Sequence, residues 1–184
     1  MTVDELLAGY QKNISFYKKG GITASGGEPL MQLDFLTTLF KKAKEQGIHT
    51  CLDTSGSIMN DSVKALLKET DRVLLDIKYT CESYYKEHAG CKMQTVLDFL
   101  EYLNSENIPV TLRQVIIPSF NDNEENILSL KEIADSHKCV DKTELLPFRK
   151  ICQVKYDKLG ISFPFVHIPE PDKETMEKLN SIII

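Results

Sequence analysis

The sequence predicts an α/β fold in which five parallel strands alternate with helices. Apolar residues recur with helical and strand periods in turn along all 184 residues, as repeated strand–helix units require. The strand segments are nearly continuous apolar runs, which is typical of a parallel sheet covered by helices on its outer face. The sequence has no internal repeat, low-complexity segment or linker. We therefore predict a single domain over residues 1–184.

The first predicted element is a helix, which begins at a capping box formed by Thr2 and Glu5 and ends before the Gly20–Gly21 pair. Its predicted inward face consists of Val3, Leu6, Leu7, Tyr10, Ile14 and Tyr17. The pattern begins with a helix, whereas an α/β unit normally begins with a strand. We therefore expect the equivalent of one further strand before this helix.

The remaining elements follow from the same periodicities and from their stop signals. The predicted strands are ITAS (22–25), IHTCLD (48–53), RVLLDIK (72–78), VTLRQVII (110–117) and TELLP (143–147). The predicted helices are 31–46, which Gly47 ends, then 63–69, 95–103, 124–134 and 173–183. A looser tail with three prolines is predicted between the last strand and the last helix.

The composition argues against several classes of function. Lys and Arg number 22 against 27 Asp and Glu, which gives a net charge of -5 with no clustered basic run, so a nucleic-acid partner is not expected. No apolar stretch approaches the length of a membrane span, and the polar start is unlike a signal peptide. The five cysteines are odd in number and contain no CxxC pair. This pattern indicates free thiols in a cytoplasmic protein.

One segment is a candidate metal site on spacing alone. Cys81, His88 and Cys91 fall within the eleven residues CESYYKEHAGC. Structural zinc sites usually consist of two close ligand pairs, and no second pair exists in this sequence. A local helix–loop segment is the alternative interpretation, and we favour it.

Polar residues stand at the carboxyl ends of the predicted strands, where parallel sheets bind their ligands. Asp53 lies in DTSG, which is also a good turn or helix-entry sequence. Asp76 and Lys78 are two residues apart on one strand and share a face. They could form a simple ion pair, although such a pair more often marks a site when it is buried.

The fourth strand carries Arg113 within an apolar run. A buried guanidinium needs a carboxylate partner, and Glu144 on the neighbouring strand is a purely structural candidate. Arg149 follows the fifth strand and could be a solvated loop residue.

The segment GGITASGGEP (20–29) is similar to a phosphate-binding loop but lacks its lysine. Gly27 and Glu28 stand where such a loop has Lys and Ser or Thr. A carboxylate at this position favours a cation over a phosphate. With Asp53, Asp76, Lys78 and Arg113 nearby, the set suits a ligand that has both an amine and a carboxylate, such as an amino acid or its adenosyl derivative.

Five segments, in order, resemble the glycyl-radical enzyme activating enzymes of the radical S-adenosylmethionine (SAM) superfamily. They are GITASGGEPLMQ, GIHTCLDTSG, RVLLDIK, LRQVIIPSFND and ELLPF…KY. The resemblance runs from Thr2 to the last helix. It implies a partial, TIM-like barrel of five parallel strands, in which the first strand of the family's six is missing.

The resemblance also implies a SAM site. The GGE loop would meet the methionine amino group. The implied SAM-binding residues are Gly26, Gly27, Glu28, Asp53, Thr54, Asp76, Lys78, Arg113 and Arg149. A monovalent cation at Asp53 and Asp76 is implied by some members. The family reductively cleaves SAM with a [4Fe-4S] cluster, with electrons from a donor such as flavodoxin. The resulting 5′-deoxyadenosyl radical takes a hydrogen atom from a glycine of a partner enzyme such as pyruvate formate-lyase.

The sequence departs from the family pattern in two ways. The cluster motif CxxxCxxC lies upstream of the GGE loop in the family, and none of the five cysteines has that spacing. We therefore expect this chain alone to bind no cluster and to be inactive. Phe148 and Arg149 replace the usual Tyr-His. A guanidinium cannot accept a proton near neutral pH, so no catalytic residue is transferred to that position.

Two other functions remain open. The chain could be a non-catalytic module that keeps a SAM-shaped pocket or a partner-binding surface. An in-frame CxxxCxxC before Met1 would favour the enzyme instead. A lyase or aldolase that uses Lys78 as a Schiff-base nucleophile is the third reading. It requires Lys78 to stand away from Asp76.

Overall fold

A computed structural model describes residues 1–17 and 20–183. Five strands form one sheet in sequential order, and every neighbouring pair is parallel. They are β1 (Gly21–Ala24), β2 (His49–Thr54), β3 (Arg72–Asp76), β4 (Val110–Ile116) and β5 (Val140–Pro147). The predicted α/β class and the five parallel strands are confirmed.

The described helices lie before, between and after these strands. They are α1 (Val3–Lys12), α2 (Leu33–Glu45), α3 (Asp61–Leu67), α4 (Glu82–Tyr84), α5 (Met93–Ser105), α6 (Glu124–Asp135), α7 (Gln153–Leu159) and α8 (Lys173–Ile183). Short 3-10 turns occupy Ile14–Phe16, Pro29–Gln32 and Lys150–Cys152, and a π turn occupies Tyr85–Ala89. No helix within 1–17 and 20–183 has both the length and the apolar composition needed to cross a bilayer.

The sequential strand order determines where the core forms. Right-handed crossovers that all advance in one direction place the helices on the same face of the sheet. The main core accordingly lies between helices and sheet, and its fully buried members include Phe40, Leu52, Leu75, Phe99 and Leu112. The opposite face is left to line the interior, where polar side chains can reach a ligand.

The first helix begins as predicted but ends early. The Thr2 hydroxyl accepts a hydrogen bond from the Glu5 amide, and the Glu5 carboxylate accepts one from the Thr2 amide. The helix ends at Lys12 because Asn13 leaves the helical conformation, with ψ of 10°. The predicted inward positions Ile14 and Tyr17 are therefore wrong, since they are 49% and 44% exposed.

The tail after β5 is more ordered than the sequence predicted. Residues Gln153–Leu159 form α7, which ends at Gly160 in the left-handed conformation. A second, smaller core of Ile117, Phe148 and Phe163 forms beyond the ends of β4 and β5, and α7 packs on it. The prediction of a looser segment was wrong because α7 is short and is held by packing on this small core.

A substitution at Gly21 tests whether β1 pairs with β2. A Cβ atom at Gly21 would lie 2.1 Å from the carbonyl oxygen of His49, its partner in the β2 register. We expect Gly21→Ala to lower the free energy of unfolding by about 2 kcal/mol, because backbone must move. Urea denaturation followed by circular dichroism measures the change.

Gly9→Ala is the matched control. Gly9 is inside α1, and apart from the backbone of that helix no atom in the described part of the chain lies within 4 Å of a Cβ atom at this position. This change should raise the free energy of unfolding by about 0.5–1 kcal/mol. A Gly21→Ala variant as stable as the parent would contradict the β1–β2 pairing.

Candidate functional site

A cavity of about 390 Å³ lies at the carboxyl ends of β1 to β4. Its lining residues are Ser25, Gly26, Gly27, Glu28, Asp53, Thr54, Ser55, Asp76, Lys78 and Arg113. Eight of the nine sequence-predicted site residues are therefore brought together in one place. Arg149 is exposed, follows β5 and is not among the residues that line this cavity.

Arg113 is the centre of the charged side of the cavity. Its Nε donates to Asp76 Oδ1 at 2.8 Å, and its terminal nitrogen donates to Asp53 Oδ1 in a very short contact. The three side chains are 15%, 20% and 21% exposed. Lys78 Nζ donates to Asp76 Oδ2 at 2.9 Å. Two carboxylates and two cations thus form one nearly neutral network.

The register of the sheet explains this network. Asp76 is aligned with Arg113, and Arg113 is aligned with Glu144, so the three side chains share one face. Arg113 turns towards the two inner aspartates, and Glu144 pairs instead with Lys142. The interpretation of Glu144 as the partner of Arg113 is wrong. Two carboxylates in a half-buried setting attract the guanidinium more strongly than one at the outer strand.

The environment of Arg113 also shifts its ionisation. Burial by itself would lower the pKa of Arg113, but the charges of Asp76 and Asp53 and their hydrogen bonds raise it above its ordinary value. The cation is therefore permanent. The ion pair that Lys78 forms with Asp76 is the one that a Schiff-base role would have to break.

Glu28 is bound within the protein. Its Oε1 accepts hydrogen bonds from the Thr54 hydroxyl at 2.6 Å and the Leu30 amide at 3.1 Å. Its Oε2 accepts from the Ser55 amide at 3.0 Å and the Ser55 hydroxyl at 2.5 Å. This carboxylate ties the loop after β1 to the loop after β2. The sequence placed Glu28 at a ligand amine and did not single out Ser55, although both residues belong to the quoted motifs.

The two glycines of the GGE loop adopt conformations that other residues avoid. Gly26 has φ of 88° and Gly27 has φ of 59°, both in the left-handed region that favours glycine. Apart from their chain neighbours, no residue within 1–17 and 20–183 has an atom within 4 Å of a Cβ atom at either position. Backbone conformation, rather than crowding, is therefore the reason for these glycines.

A second cavity of about 390 Å³ adjoins the first and shares Ser55 and Lys78 with it. It is lined mainly by aromatic and aliphatic side chains, among them Tyr79, Tyr85 and Phe165. The segment that contains α4 and the π turn contributes much of this wall. No sequence signal identified it, because its apolar residues follow neither a strand period nor a regular helical period.

The candidate metal residues of that segment have other contacts. His88 packs against the rings of Tyr79, Tyr84 and Phe120, and Cys81 Sγ lies 3.4 Å from the hydroxyl of Ser83. Across residues 1–17 and 20–183, no group of three or more His, Cys, Asp or Glu residues is placed to hold a metal ion.

The cysteines are expected to differ in reactivity. Burial raises the pKa of the Cys139 thiol to about 11, so about 0.1% of it is thiolate at pH 8. Cys81 is exposed. Iodoacetamide at pH 8 should therefore label Cys81 at least about tenfold faster than Cys139, as read by peptide mass spectrometry. Labelling in urea should remove the difference, and equal rates in the folded protein would contradict the burial of Cys139.

Comparisons with known proteins agree with this geometry. Residues 1–130 match the Radical SAM superfamily. The chain is 35% identical over 189 aligned residues to the pyruvate formate-lyase-activating enzyme of Staphylococcus aureus, covering 96% of this chain and 74% of that protein.

Solved structures show the same fold. A domain of pyruvate-formate lyase-activating enzyme from Bacteroides vulgatus superposes with a TM-score of 0.73 at 22% identity, over 89% of this chain and 92% of that one. Streptococcus suis SuiB bound to its precursor peptide SuiA gives a TM-score of 0.74 at 16% identity, over 100% of this chain and 38% of that one. The predicted partial barrel is thereby confirmed. The chain belongs to the radical SAM superfamily and is homologous to the pyruvate formate-lyase-activating enzymes.

Proposed function

We propose that this chain is the barrel portion of a radical SAM activating enzyme that produces a glycyl radical on a partner such as pyruvate formate-lyase, in the cytoplasm. Residues 1–184 would act as one domain. The observation that carries the proposal is the single cavity that unites the GGE loop with Asp53, Asp76, Lys78 and Arg113.

The cavity suits the amino-acid end of SAM. Arg113 and Lys78 are cations that can pair with a carboxylate, while Asp53 and Asp76 are carboxylates that can pair with an ammonium or sulfonium group. The loop of Gly26 and Gly27 exposes backbone beside them. Arg149 lies outside the lining of this cavity, and its contact with SAM stays a prediction. A monovalent cation between Asp53 and Asp76 would have to displace the Arg113 guanidinium.

The described residues offer a site for SAM but none for the iron–sulfur cluster. The five cysteines lie in separate elements, and no group of ligands is formed within 1–17 and 20–183. We therefore propose that this chain is inactive alone. In the family, bound SAM and a reduced cluster supply the radical that oxidises the glycine. The contribution of these residues would be to bind and orient SAM.

A ligand titration tests this proposal. We expect calorimetry to show weak SAM binding or none, because in the family the cluster iron chelates the amino-acid end of SAM and this chain is proposed to hold no cluster. Nuclear magnetic resonance with millimolar SAM should still shift the amides of Gly26 and Gly27. The Asp53→Asn variant should abolish these shifts, and Glu144→Gln, outside the cavity, should retain them. Shifts confined to other residues, or unchanged in Asp53→Asn, would overturn the proposed site.

A non-catalytic binding module is the second candidate. The observation in its favour is that Glu28 and the charged network already have internal partners. Such a site is complete as a structural unit without a ligand. Electron paramagnetic resonance of a mixture of the chain, pyruvate formate-lyase, SAM, iron, sulfide and reductant distinguishes the two functions. A glycyl radical signal would contradict inactivity, and SAM-independent binding of the partner would favour the module.

A further inference from the structure

The short segment after β5 presents an unusual surface to solvent. Ile151, Val154 and Leu159 are 77%, 58% and 72% exposed. The same segment exposes Lys155 and Lys158. We call these five side chains the basic apolar face. Elsewhere in the described chain, large exposed apolar side chains occur singly or in pairs, as is normal for a protein surface, whereas here three fall within nine residues.

Helical geometry separates this face from the part of α7 that stabilises the fold. Positions 154, 155 and 158 of α7 follow the spacing of one helix face, and Ile151 lies in the 3-10 turn directly before α7. Cys152 and Tyr156 lie on the other side and pack against the small core of Ile117, Phe148 and Phe163. The segment is thus anchored by its inner face. Its outward apolar side chains are not needed for that packing.

The charge of the segment is opposite to that of the chain. Between positions 149 and 158 there are four cations, Arg149, Lys150, Lys155 and Lys158, and one anion, Asp157. Four minus one gives +3, in a chain whose net charge is -5. Lys150 Nζ donates to the Val166 carbonyl oxygen at 2.6 Å, so Lys155 and Lys158 are the cations on the outward face.

The position of the face is also informative. It begins four residues after the end of β5, at the edge of the sheet where the cavities lie. Ile117, on which the segment packs, lines the second cavity. A protein bound on this face would therefore stand beside the second cavity, which adjoins the first.

We propose that the basic apolar face is the docking surface for the glycyl-radical enzyme, through a surface of that partner that carries both acidic and apolar side chains. This inference rests on the proposed function. A partner whose backbone glycine must reach the site has to approach from the carboxyl edge, where this face lies. Opposite charge would guide the encounter, and the apolar side chains would be buried in the complex.

A second copy of this chain fits the face less well. A two-fold symmetric contact places the same patch on both sides of the interface. Lys155 and Lys158 would then face their own copies, and like charges brought together destabilise an interface. An acidic partner has no such conflict.

Surface plasmon resonance with immobilised pyruvate formate-lyase of Staphylococcus aureus provides the test. The variants are Lys155→Glu with Lys158→Glu, and Ile151→Ser with Val154→Ser. Each should weaken binding at least about tenfold. The charge variant should also lose the salt dependence of the parent. The matched controls are Lys41→Glu with Lys138→Glu, which makes the same charge change elsewhere, and Leu128→Ser, another exposed apolar position. Both should bind within about twofold of the parent.

Each other result overturns the inference. Binding of both variants at parental strength moves the docking surface elsewhere and leaves the proposed function standing. A Tm of Ile151→Ser with Val154→Ser lowered by more than about 5 °C would show that the face packs within its own chain. A parent dimer in analytical ultracentrifugation that this variant dissociates would assign the face to self-association. A parent chain that does not bind the partner contradicts both the inference and the proposed function.

Discussion

Replacing Arg113 with methionine is expected to lower the free energy of unfolding by about 3–5 kcal/mol. The change leaves Asp53 and Asp76 close together, mostly buried and without the cation between them. Removing one partner of such a network is costly because the remaining charges keep their desolvation penalty. Methionine retains much of the aliphatic stem, so the loss reports the charge. Urea unfolding followed by circular dichroism measures it.

Two further variants make this prediction sharp. Lys142→Met breaks an ion pair whose side chains are 62% and 34% exposed, and it should cost less than about 1 kcal/mol. Combining Arg113→Met with Asp53→Asn removes the carboxylate that has lost its cation, whereas Asp76 keeps its ion pair with Lys78. This double variant should recover most of the stability. A loss below 1 kcal/mol for Arg113→Met alone would show that the network does not hold the site.

Replacing Glu28 with glutamine is expected to lower the free energy of unfolding by about 2–3 kcal/mol. The glutamine side chain has the same size but only one acceptor oxygen. Its amide group would face either the Ser55 amide or the Thr54 hydroxyl, each of which now donates to the carboxylate. A buried donor would lose its partner, and the two loops that line the cavity would separate.

The readout for Glu28→Gln is the midpoint of thermal unfolding together with the SAM-induced amide shifts of Gly26 and Gly27. Glu45→Gln changes an exposed carboxylate at the end of α2 and should leave both unchanged. If Glu28→Gln lost the SAM-induced amide shifts but kept the midpoint of thermal unfolding, Glu28 would be a direct contact of the ligand. Loss of both is the result expected for a residue that positions the loop.

The five strands and their positions along the sequence were predictable, because parallel strands carry long apolar runs between clear stop signals. The polar residues at their ends were predictable for the same reason, since the carboxyl ends of parallel strands share one edge. Eight residues converge there as expected. Local spacing placed Asp76 and Lys78 on one face, and their ion pair forms.

The errors concern choices between partners that spacing cannot make. The sequence places Asp53, Asp76 and Glu144 on strands close enough to pair with Arg113. Which of them pairs with it depends on how deeply each strand is buried in the sheet. The contacts of Glu28 with Thr54 and Ser55 were not predictable either, because these two donors lie 26 and 27 residues away in the sequence. Helix α7 was missed because it is short and packs on a core assembled from distant residues.

The short edge strand β1 has a consequence for the energetics of binding. It has four residues, none of them fully buried, and the loop it positions forms one wall of the cavity. Fraying of this strand would dismantle that wall before the rest of the sheet opens. The measured affinity for a ligand is then reduced in proportion to the fraction of molecules in which β1 is paired with β2. A ligand that contacts Gly26 and Gly27 would hold β1 on β2 by mass action, so ligand binding and the local stability of this edge are thermodynamically linked.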